Sequence, residues 1–187
     1  SWNRSVWLEA NAFLNDIEQL IQTSPDAEAT QARNDGVQVF SYENIAEART
    51  WGFETTAGWE PSEHWRLTAG YTLTRTEDGA TGNELNRRPR HQARLGLDGP
   101  LGLPGLSWSA RLRYQSEEFV DAAAGTESPG YTTADLKLNY RFSDQLRLFA
   151  GADNITDEQR DFSNASEDFR PVAGRFLYAG LTVSFGE

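Results

Sequence analysis

The final stretch of the chain, residues 174–187, reads GRFLYAGLTVSFGE and alternates between apolar and small or polar side chains. The apolar positions share one parity: Leu177, Ala179, Leu181, Val183 and Phe185. Because successive side chains of a β-strand point to opposite faces, a period of two predicts a strand with one apolar and one wetter face. The fold then depends on what the apolar face contacts.

The same period recurs along most of the chain. Further stretches alternate over lengths close to the roughly 9–11 residues of a tilted membrane-spanning strand. They are Trp51–Trp59, which extends back towards Val37, Arg66–Thr74, His91–Asp98, Leu106–Tyr114, Thr132–Tyr140 and Leu146–Asp153. Residues 5–22 (SVWLEANAFLNDIEQLIQ) fit a helical stripe as well as a strand, because Leu, Ala, Glu and Gln favour a helix.

The connections alternate in length. Short ones are rich in Pro, Gly, Ser and Asp, as tight turns require: residues 60–65, 99–105 and 142–145. Long ones occupy residues 23–36, 76–90, 116–130 and 154–174. Eight antiparallel strands in up-and-down order would place every long loop at one end, which is typical of outer-membrane barrels. We therefore predict an all-β, antiparallel, up-and-down transmembrane β-barrel, with residues 1–187 as a single barrel segment.

Composition excludes several classes of function. The net charge of −11 argues against nucleic-acid binding, which needs a basic surface. The absence of cysteine excludes disulfides and thiolate sites. No stretch approaches the roughly 18 apolar residues of a membrane-spanning helix, and closed barrels are the other structure that satisfies the backbone in lipid. Methionine is absent and no signal peptide precedes Ser1, which indicates a processed, excised or incomplete chain.

The polar parity predicts the wall of a hydrated bore. Charges there would each cost about 2–4 kcal/mol if they faced lipid at the midplane. The lumen-wall candidates are Glu54, Arg111, Arg113, Asp135, Lys137 and Arg147.

Two further residue classes fit this orientation. Glycines of the polar parity either admit a plug that packs closely against them or relieve barrel curvature; they are Gly52, Gly58, Gly70, Gly96, Gly151 and Gly180. Aromatic residues near the short turns indicate an interfacial belt; they are Trp59, Trp65, Tyr140, Phe142 and Phe185.

A set of ordered motifs covers almost the whole chain. The penultimate strand ends at Asn154 with Asp157 close behind, and Gly174–Arg175 lead into a last strand that ends on Phe185. Earlier come ANAFLNDIEQLIQ (10–22), YENIAEARTWGFETTAGWEP (42–61) and LNRRPRHQARLGLD (85–98). Together they resemble the C-terminal barrel segment of TonB-dependent outer-membrane receptors. Asn44 and Gly52–Glu54 match the family's Asn…Gly-Val-Glu pattern, with Phe53 in place of the small apolar residue.

The resemblance implies that residues 5–22 form a strand and that the chain looks like the last third of a twenty-two-stranded barrel. The N-terminal plug and the segment that engages TonB would lie outside it. The implied function is import of a scarce nutrient such as a ferric siderophore, cobalamin or haem. Implied partners are the TonB complex, outer-membrane lipid and lipopolysaccharide, the barrel-assembly machinery and the small-molecule nutrient. Phe185 resembles the family's assembly signal, although Gly186–Glu187 follow it.

Ligand-binding candidates lie in the outer loops. The basic cluster RRPRH contains Arg87, Arg88 and Arg90, which could grip an anionic siderophore or lipopolysaccharide phosphate, or balance nearby acidic loops. Phe119, Phe162 and Phe169 could stack on a ligand or fold back on neighbouring loops.

Catalysis and metal binding have weaker support, and we predict no enzyme, no cofactor and no metal site. His64 and His91 have no Ser or Cys partner nearby in the sequence. The acidic pairs 117–118 and 167–168 are candidate paired carboxylates or solvated loop residues. Possible calcium ligands without EF-hand spacing are Asp26, Asp35, Asp78 and Asp157.

Two other functions remain open. A self-contained eight-stranded outer-membrane barrel, closed between its first and last strands, would act as an anchor or adhesin. A soluble β-barrel that binds a small ligand has the same alternation turned inside out, so Leu112, Leu136, Leu138 and Leu181 would meet in a dry centre.

Overall fold

Strands make up most of the fold. The computed structural model describes residues 5–33, 35–160 and 171–185. In chain order the elements are β1 (Ser5–Asp26), α1 (Ala27–Arg33), β2 (Val39–Ser62), β3 (Trp65–Asp78), β4 (His91–Pro100), β5 (Leu106–Gln115), β6 (Glu118–Asp121), β7 (Thr126–Ser128), β8 (Tyr131–Arg141), β9 (Leu146–Asp153) and β10 (Phe176–Val183). Within those residues, no helix combines the length and apolarity needed to cross a membrane.

Eight strands form one antiparallel sheet in the order β1-β2-β3-β4-β5-β8-β9-β10, while β6 and β7 form a separate hairpin within the loop between β5 and β8. Each strand of the large sheet pairs with the next one along the chain, apart from the inserted hairpin. This order confirms the predicted all-β, up-and-down arrangement.

Residues 5–22 belong to a strand, as the family resemblance implies. β1 pairs with β2 over almost its whole length, starting with Ser5 opposite Glu60. The alternation places Val6 on one face of the sheet, where its cross-strand neighbour is Trp59. It places Phe13 on the other face, where its cross-strand neighbour is Gly52. Pairing with a long neighbouring strand therefore overrides the helical propensity of Leu, Ala, Glu and Gln.

The sheet is open. β1 and β10 are its two edges, and no pairing joins them in the described part of the chain. The alternative of a closed eight-stranded barrel is therefore wrong for this structure, because each edge strand keeps one row of backbone groups without a strand partner.

The connections segregate as predicted. Two-residue to five-residue turns follow β2, β4 and β8 at one end of the sheet, and longer loops follow the strands that run the other way. In the first long loop, Asp26 Oδ1 accepts a hydrogen bond from the Ala29 N–H at 2.8 Å and caps the start of α1. The loops therefore gather at one end, where they can form a common surface.

The apolar side chains do not form a dry centre. Leu112 is 43% exposed, Leu138 37% and Leu181 63%, all on the same face of the sheet. Buried apolar residues among those described are few: Ala48, Leu85, Val120 and Ala152. The alternative of a soluble barrel with an apolar interior is wrong, because these leucines face outward from the sheet rather than each other.

Candidate functional site on the polar face and its loops

The two faces of the sheet differ sharply in charge. Cross-strand register links one set of alternate positions from β1 to β10, which we call the polar face. From the level of Gly52 to the short turns, its charged members are Glu9, Glu54, Glu60, Arg66, Arg94, Asp98, Arg111, Arg113, Asp135, Lys137, Arg141, Arg147 and Asp153. The opposite parity, the apolar face, carries no charged side chain over the same described stretches. All six lumen-wall candidates thus share one face.

Ion pairs compensate part of the polar face. Arg111 Nη2 lies 2.8 Å from Asp98 Oδ1, and Arg113 Nη2 lies 2.5 Å from Asp135 Oδ2. Arg94 stands directly opposite Arg113. Among the ion pairs of the described residues none includes Arg94, whose Nη2 makes a long, weak 3.5 Å hydrogen bond to Thr56 Oγ1. Arg94 therefore presents a positive charge to whatever occupies the space in front of it.

That space is a cleft of about 230 Å³ on the polar face, here called the upper cleft. Its polar lining combines Arg94 and Arg113 with Gln92, Gln115 and Tyr131. The Tyr131 hydroxyl donates to Gln115 Oε1 at 3.3 Å, which orients both side chains. Two guanidinium groups beside amides and a phenol suit an anionic, oxygen-rich ligand.

The three arginines of the basic loop cluster differ in their contacts: one is held in an ion pair, and another is exposed. Arg90 Nε donates to both carboxylate oxygens of Glu84, at 2.7 and 2.9 Å, and this bond raises the pKa of Arg90. The Arg87 guanidinium lies 5.0 Å from the centroid of the Phe40 ring. Arg88 is exposed, and its Nη1 donates to the Arg87 carbonyl. Charge balance with an acidic loop therefore describes Arg90, whereas Arg88 remains available to a ligand.

The structure brings Arg87 and Phe119 together through their backbones. The Arg87 N–H donates to the Phe119 carbonyl at 2.7 Å, and Asn86 Oδ1 accepts from the Ala122 N–H at 2.8 Å. These bonds tie the loop after β3 to the β6–β7 hairpin. Phe119 itself is half-buried. Phe162 and Phe169 lie outside the described residues.

Sequence reasoning missed Arg160. Its Nη2 lies 3.1 Å from Glu118 Oε1, and the two side chains are 3% and 2% exposed. Its Nε donates to the Pro129 carbonyl at 3.1 Å, and its guanidinium lies 5.0 Å from the centroid of the Tyr131 ring. The available signal was one arginine within the acidic stretch 157–168. Glu118 is thus committed to an ion pair, so the paired-carboxylate hypothesis for residues 117–118 is wrong.

Asn154 and Asp157 organise the base of the last long loop. Asn154 is buried with φ +47°; its Nδ2 donates to the Glu158 and Ala173 carbonyls, and its Oδ1 accepts from the Glu158 N–H. Asp157 Oδ1 accepts from the Arg175 N–H at 2.8 Å. The spacing of the Asn, the Asp and the Gly-Arg motif therefore has a physical cause, since the first two clamp the entry to β10.

The two histidines considered as catalytic candidates lie in different parts of the structure. His91 Nδ1 lies 2.7 Å from the Tyr71 hydroxyl, and both rings stack on the apolar face. His64 lines a second cleft, near the short turns.

The four calcium candidates are separate and already bonded. Each accepts a backbone N–H. The Arg33 guanidinium lowers the pKa of Asp35, so its carboxylate is ionised and paired. No group of three potential metal ligands occurs in the described ranges.

The polar-face glycines make room for neighbouring side chains. Each lies directly opposite a large residue of the adjacent strand. The pairs are Gly52 with Phe13, Gly58 with Trp7, Gly70 with Arg94, Gly96 with Arg111, Gly151 with Tyr178, and Gly180 with Phe149. A methyl group added to any of these glycines would lie 3.4 Å or less from the side chain of its cross-strand partner. Neither a plug nor curvature is needed to explain them, because the cross-strand residue already occupies the space.

The predicted aromatic belt is exposed near the short turns. Trp59, Trp65, Tyr140, Phe142 and Phe185 are each at least 37% exposed. Sequence reasoning missed Trp108, which packs edge-to-face on Trp65 with centroids 6.2 Å apart. Amphipathic rings in this position suit a membrane–water interface.

Known proteins share this sequence pattern and fold. A family profile described as "TonB dependent receptor-like, beta-barrel" matches residues 1–155. The iron-regulated outer membrane virulence protein of Vibrio cholerae is 27% identical over 151 residues, which cover 76% of this chain and 22% of that protein. The probable TonB-dependent siderophore receptor PiuA of Acinetobacter baumannii is 25% identical over 174 residues, covering 83% and 23%.

A solved structure supports the fold independently. The ferric yersiniabactin uptake receptor FyuA from Yersinia pestis superposes with a TM-score of 0.73 at 18% identity, covering 97% of this chain and 28% of that one. At this identity the likeness concerns the fold alone. The chain spans less than a quarter of the length of the two curated relatives.

Proposed function

The chain belongs to the TonB-dependent receptor β-barrel family, and from this premise we propose that it forms part of the wall and outer loops of a receptor that imports a scarce nutrient. Its location is the bacterial outer membrane. The observation that carries the proposal is the division of charge between the faces, because an uncharged face suits lipid and a charged face suits a hydrated bore.

The cargo we propose is an iron chelate such as a ferric siderophore, with cobalamin and haem as the other candidates. Relatives are named as iron-regulated proteins and siderophore receptors, which supports this choice. The upper cleft adds chemical support, since Arg94 and Arg113 lie next to amide and phenol groups. Arg88 and the Arg87–Phe119 contact lie in the loops through which such a ligand would arrive.

The remaining partners belong to the complete receptor. We propose that energy comes from the TonB complex, that lipopolysaccharide contacts the outer rim, and that the barrel-assembly machinery reads the strand ending at Phe185. Family members are transporters and receptors, and import requires no bond to be made or broken in the nutrient. The six lumen-wall residues would line the path without chemical change to the cargo.

Uptake by the complete receptor tests this function. A receptor-deleted strain under iron limitation would be complemented with wild-type receptor and given radiolabelled ferric siderophores, haem and cobalamin separately. We expect wild type to restore uptake of an iron chelate, and Arg94→Gln to lower it about tenfold through the loss of a charge-assisted bond. Arg66→Gln is the matched control, because Arg66 pairs with Glu60 outside the upper cleft.

Two results would count against the proposal. If wild-type receptor restores uptake of none of the three ligand classes, the import function is wrong. If uptake is restored but Arg94→Gln equals Arg66→Gln, the upper cleft does not contact the cargo.

A further inference from the structure

A second cleft on the polar face collects cations near the short turns. This lower cleft has a volume of about 740 Å³ and includes Lys137, Arg141 and Arg147 in its lining. His64 also lines it, and no carboxylate residue does. No ion pair of the described residues includes any of the three cations. The cleft therefore concentrates positive charge in a chain whose net charge is −11.

Two of these cations oppose each other directly. Arg141 of β8 lies opposite Arg147 of β9 in the register, which places their Cβ atoms roughly 4.5–5.5 Å apart. Like charges in this position destabilise a strand pair. Both side chains are exposed, so a bound anion could reach between them.

The polar face shows how such a conflict is otherwise resolved. Arg94 and Arg113 are also directly opposed, but Asp135 binds Arg113 at 2.5 Å. Arg66 is likewise compensated, by Glu60 at 2.8 Å. The Arg141–Arg147 pair has no such carboxylate in an ion pair among the described residues, so a bound anion would relieve its repulsion.

The rest of the lining suits an anion with several oxygen atoms. Lys137 Nζ lies 5.0 Å from the centroid of the Phe149 ring, which holds the ammonium group at the edge of the cleft. Ser107, Asn139 and Thr182 add neutral hydrogen-bond donors. Two guanidinium groups, one ammonium group and these donors match the geometry of carboxylates, which arginine binds bidentately.

We propose that the lower cleft is a carboxylate-binding site, with Arg141 and Arg147 as its central ligands and Lys137 at its side. The carboxylates come either from a small oligocarboxylate in the bore or from acidic side chains of the rest of the receptor. The proposal rests on the proposed function only in that the polar face meets water inside the barrel. It requires no transport, so a binding measurement tests it separately from uptake.

The first test is a calorimetric titration of the complete receptor in detergent with citrate. We expect wild type to bind citrate, and the double variant Arg141→Gln/Arg147→Gln to bind it at least about tenfold more weakly. Raising the salt concentration should weaken wild-type binding, because exposed charges are screened. Arg66→Gln is the matched control, since it removes a compensated arginine from the same face and the same end.

A charge-conserving variant keeps the test decisive if the glutamine variant does not fold. Arg141→Lys/Arg147→Lys keeps the positive charge, so it should retain citrate binding within about tenfold of wild type while losing bidentate geometry. If the glutamine variant does not fold, citrate binding by this lysine variant and its loss at high salt decide the question.

Thermal unfolding separates the two sources. If citrate does not bind because internal carboxylates fill the cleft, the glutamine variant should unfold at a lower temperature than wild type, and Arg66→Gln should not. Citrate binding lost in the glutamine variant assigns the site to a free oligocarboxylate. If citrate does not bind and the glutamine variant is as stable as wild type, or more stable, the proposal is overturned.

Discussion

A single buried arginine connects two long loops to the upper cleft. Arg160 pairs with Glu118, donates to the Pro129 carbonyl and covers the Tyr131 ring. Arg160→Met would leave the Glu118 carboxylate buried without this partner, at a cost of about 3–5 kcal/mol. We expect residues 116–130 to open locally, which hydrogen–deuterium exchange of the complete receptor would detect as faster exchange in that segment.

The second partner provides the control for this prediction. Arg160→Met/Glu118→Gln removes both charges, so most of the lost protection should return, because the buried carboxylate that lost its arginine is gone as well. If Arg160→Met alone leaves exchange of residues 116–130 unchanged, the ion pair does not hold the hairpin in place.

Asn154 combines backbone strain with several hydrogen bonds. Alanine at this position would keep the unfavourable positive φ, at about 1–2 kcal/mol, and lose the side-chain bonds to residues 158 and 173. Asn154→Gly loses the same bonds but relieves the strain. We therefore expect Asn154→Ala to expose the amides of Glu158 and Arg175 to exchange more than Asn154→Gly does. Equal protection in both variants would show that φ at this position is not costly.

β9 and β10 interlock through two reciprocal pairs. Tyr178 covers Gly151, and Phe149 covers Gly180, with the two aromatic rings 6.4 Å apart. Gly151→Val would force the Tyr178 ring away and weaken the last strand pair, an overpacking cost of about 1–3 kcal/mol. We expect a lower urea midpoint and less heat-modifiable receptor in the outer membrane.

Two variants isolate the cause of that effect. Gly151→Val/Tyr178→Ala removes the clashing ring and should recover much of the loss. Ala179→Val adds similar bulk to β10 on the apolar face, where the side chain is exposed, and should be tolerated. An equal defect in Ala179→Val would mean that bulk at this edge, rather than the glycine–aromatic contact, is what matters.

Strand alternation was sufficient to predict the order of the eight strands in the large sheet, but not α1 or the β6–β7 hairpin, because the period of two and the turn residues are local properties. β1 required more, since its residues favour a helix and only pairing with β2 decides its conformation. The role of Gly151 depends on Tyr178 in the next strand, and Arg160 meets Glu118 across 42 positions of sequence. Such contacts are absent from any single stretch, so neither the glycine pairs nor the buried ion pair could be predicted.

Across the whole molecule, acidic charge is concentrated away from the wall. From the level of Gly52 to the short turns the polar face holds seven basic and six acidic residues, while the chain as a whole is strongly acidic. The excess of carboxylates therefore lies in the loops and strand ends. A nearly balanced wall with local basic clefts can hold anionic groups at defined places without a strong uniform field along its length.

The orientation of the two faces determines whether the charged residues line a hydrated path, and introduced thiols can measure it, because this chain contains no cysteine and any cysteine elsewhere in the receptor can first be replaced by serine. Single cysteines would replace consecutive residues of β5 in the complete receptor: Ala110, Arg111, Leu112 and Arg113. Arg111→Cys and Arg113→Cys should react with a membrane-impermeant maleimide, because the polar face meets water. Ala110→Cys and Leu112→Cys should stay unlabelled by the impermeant maleimide, because a thiol in hydrocarbon is both inaccessible and rarely ionised. Reaction of all four with the impermeant reagent, or the reverse alternation, would place the leucines away from lipid and remove the basis for a hydrated, charge-lined path.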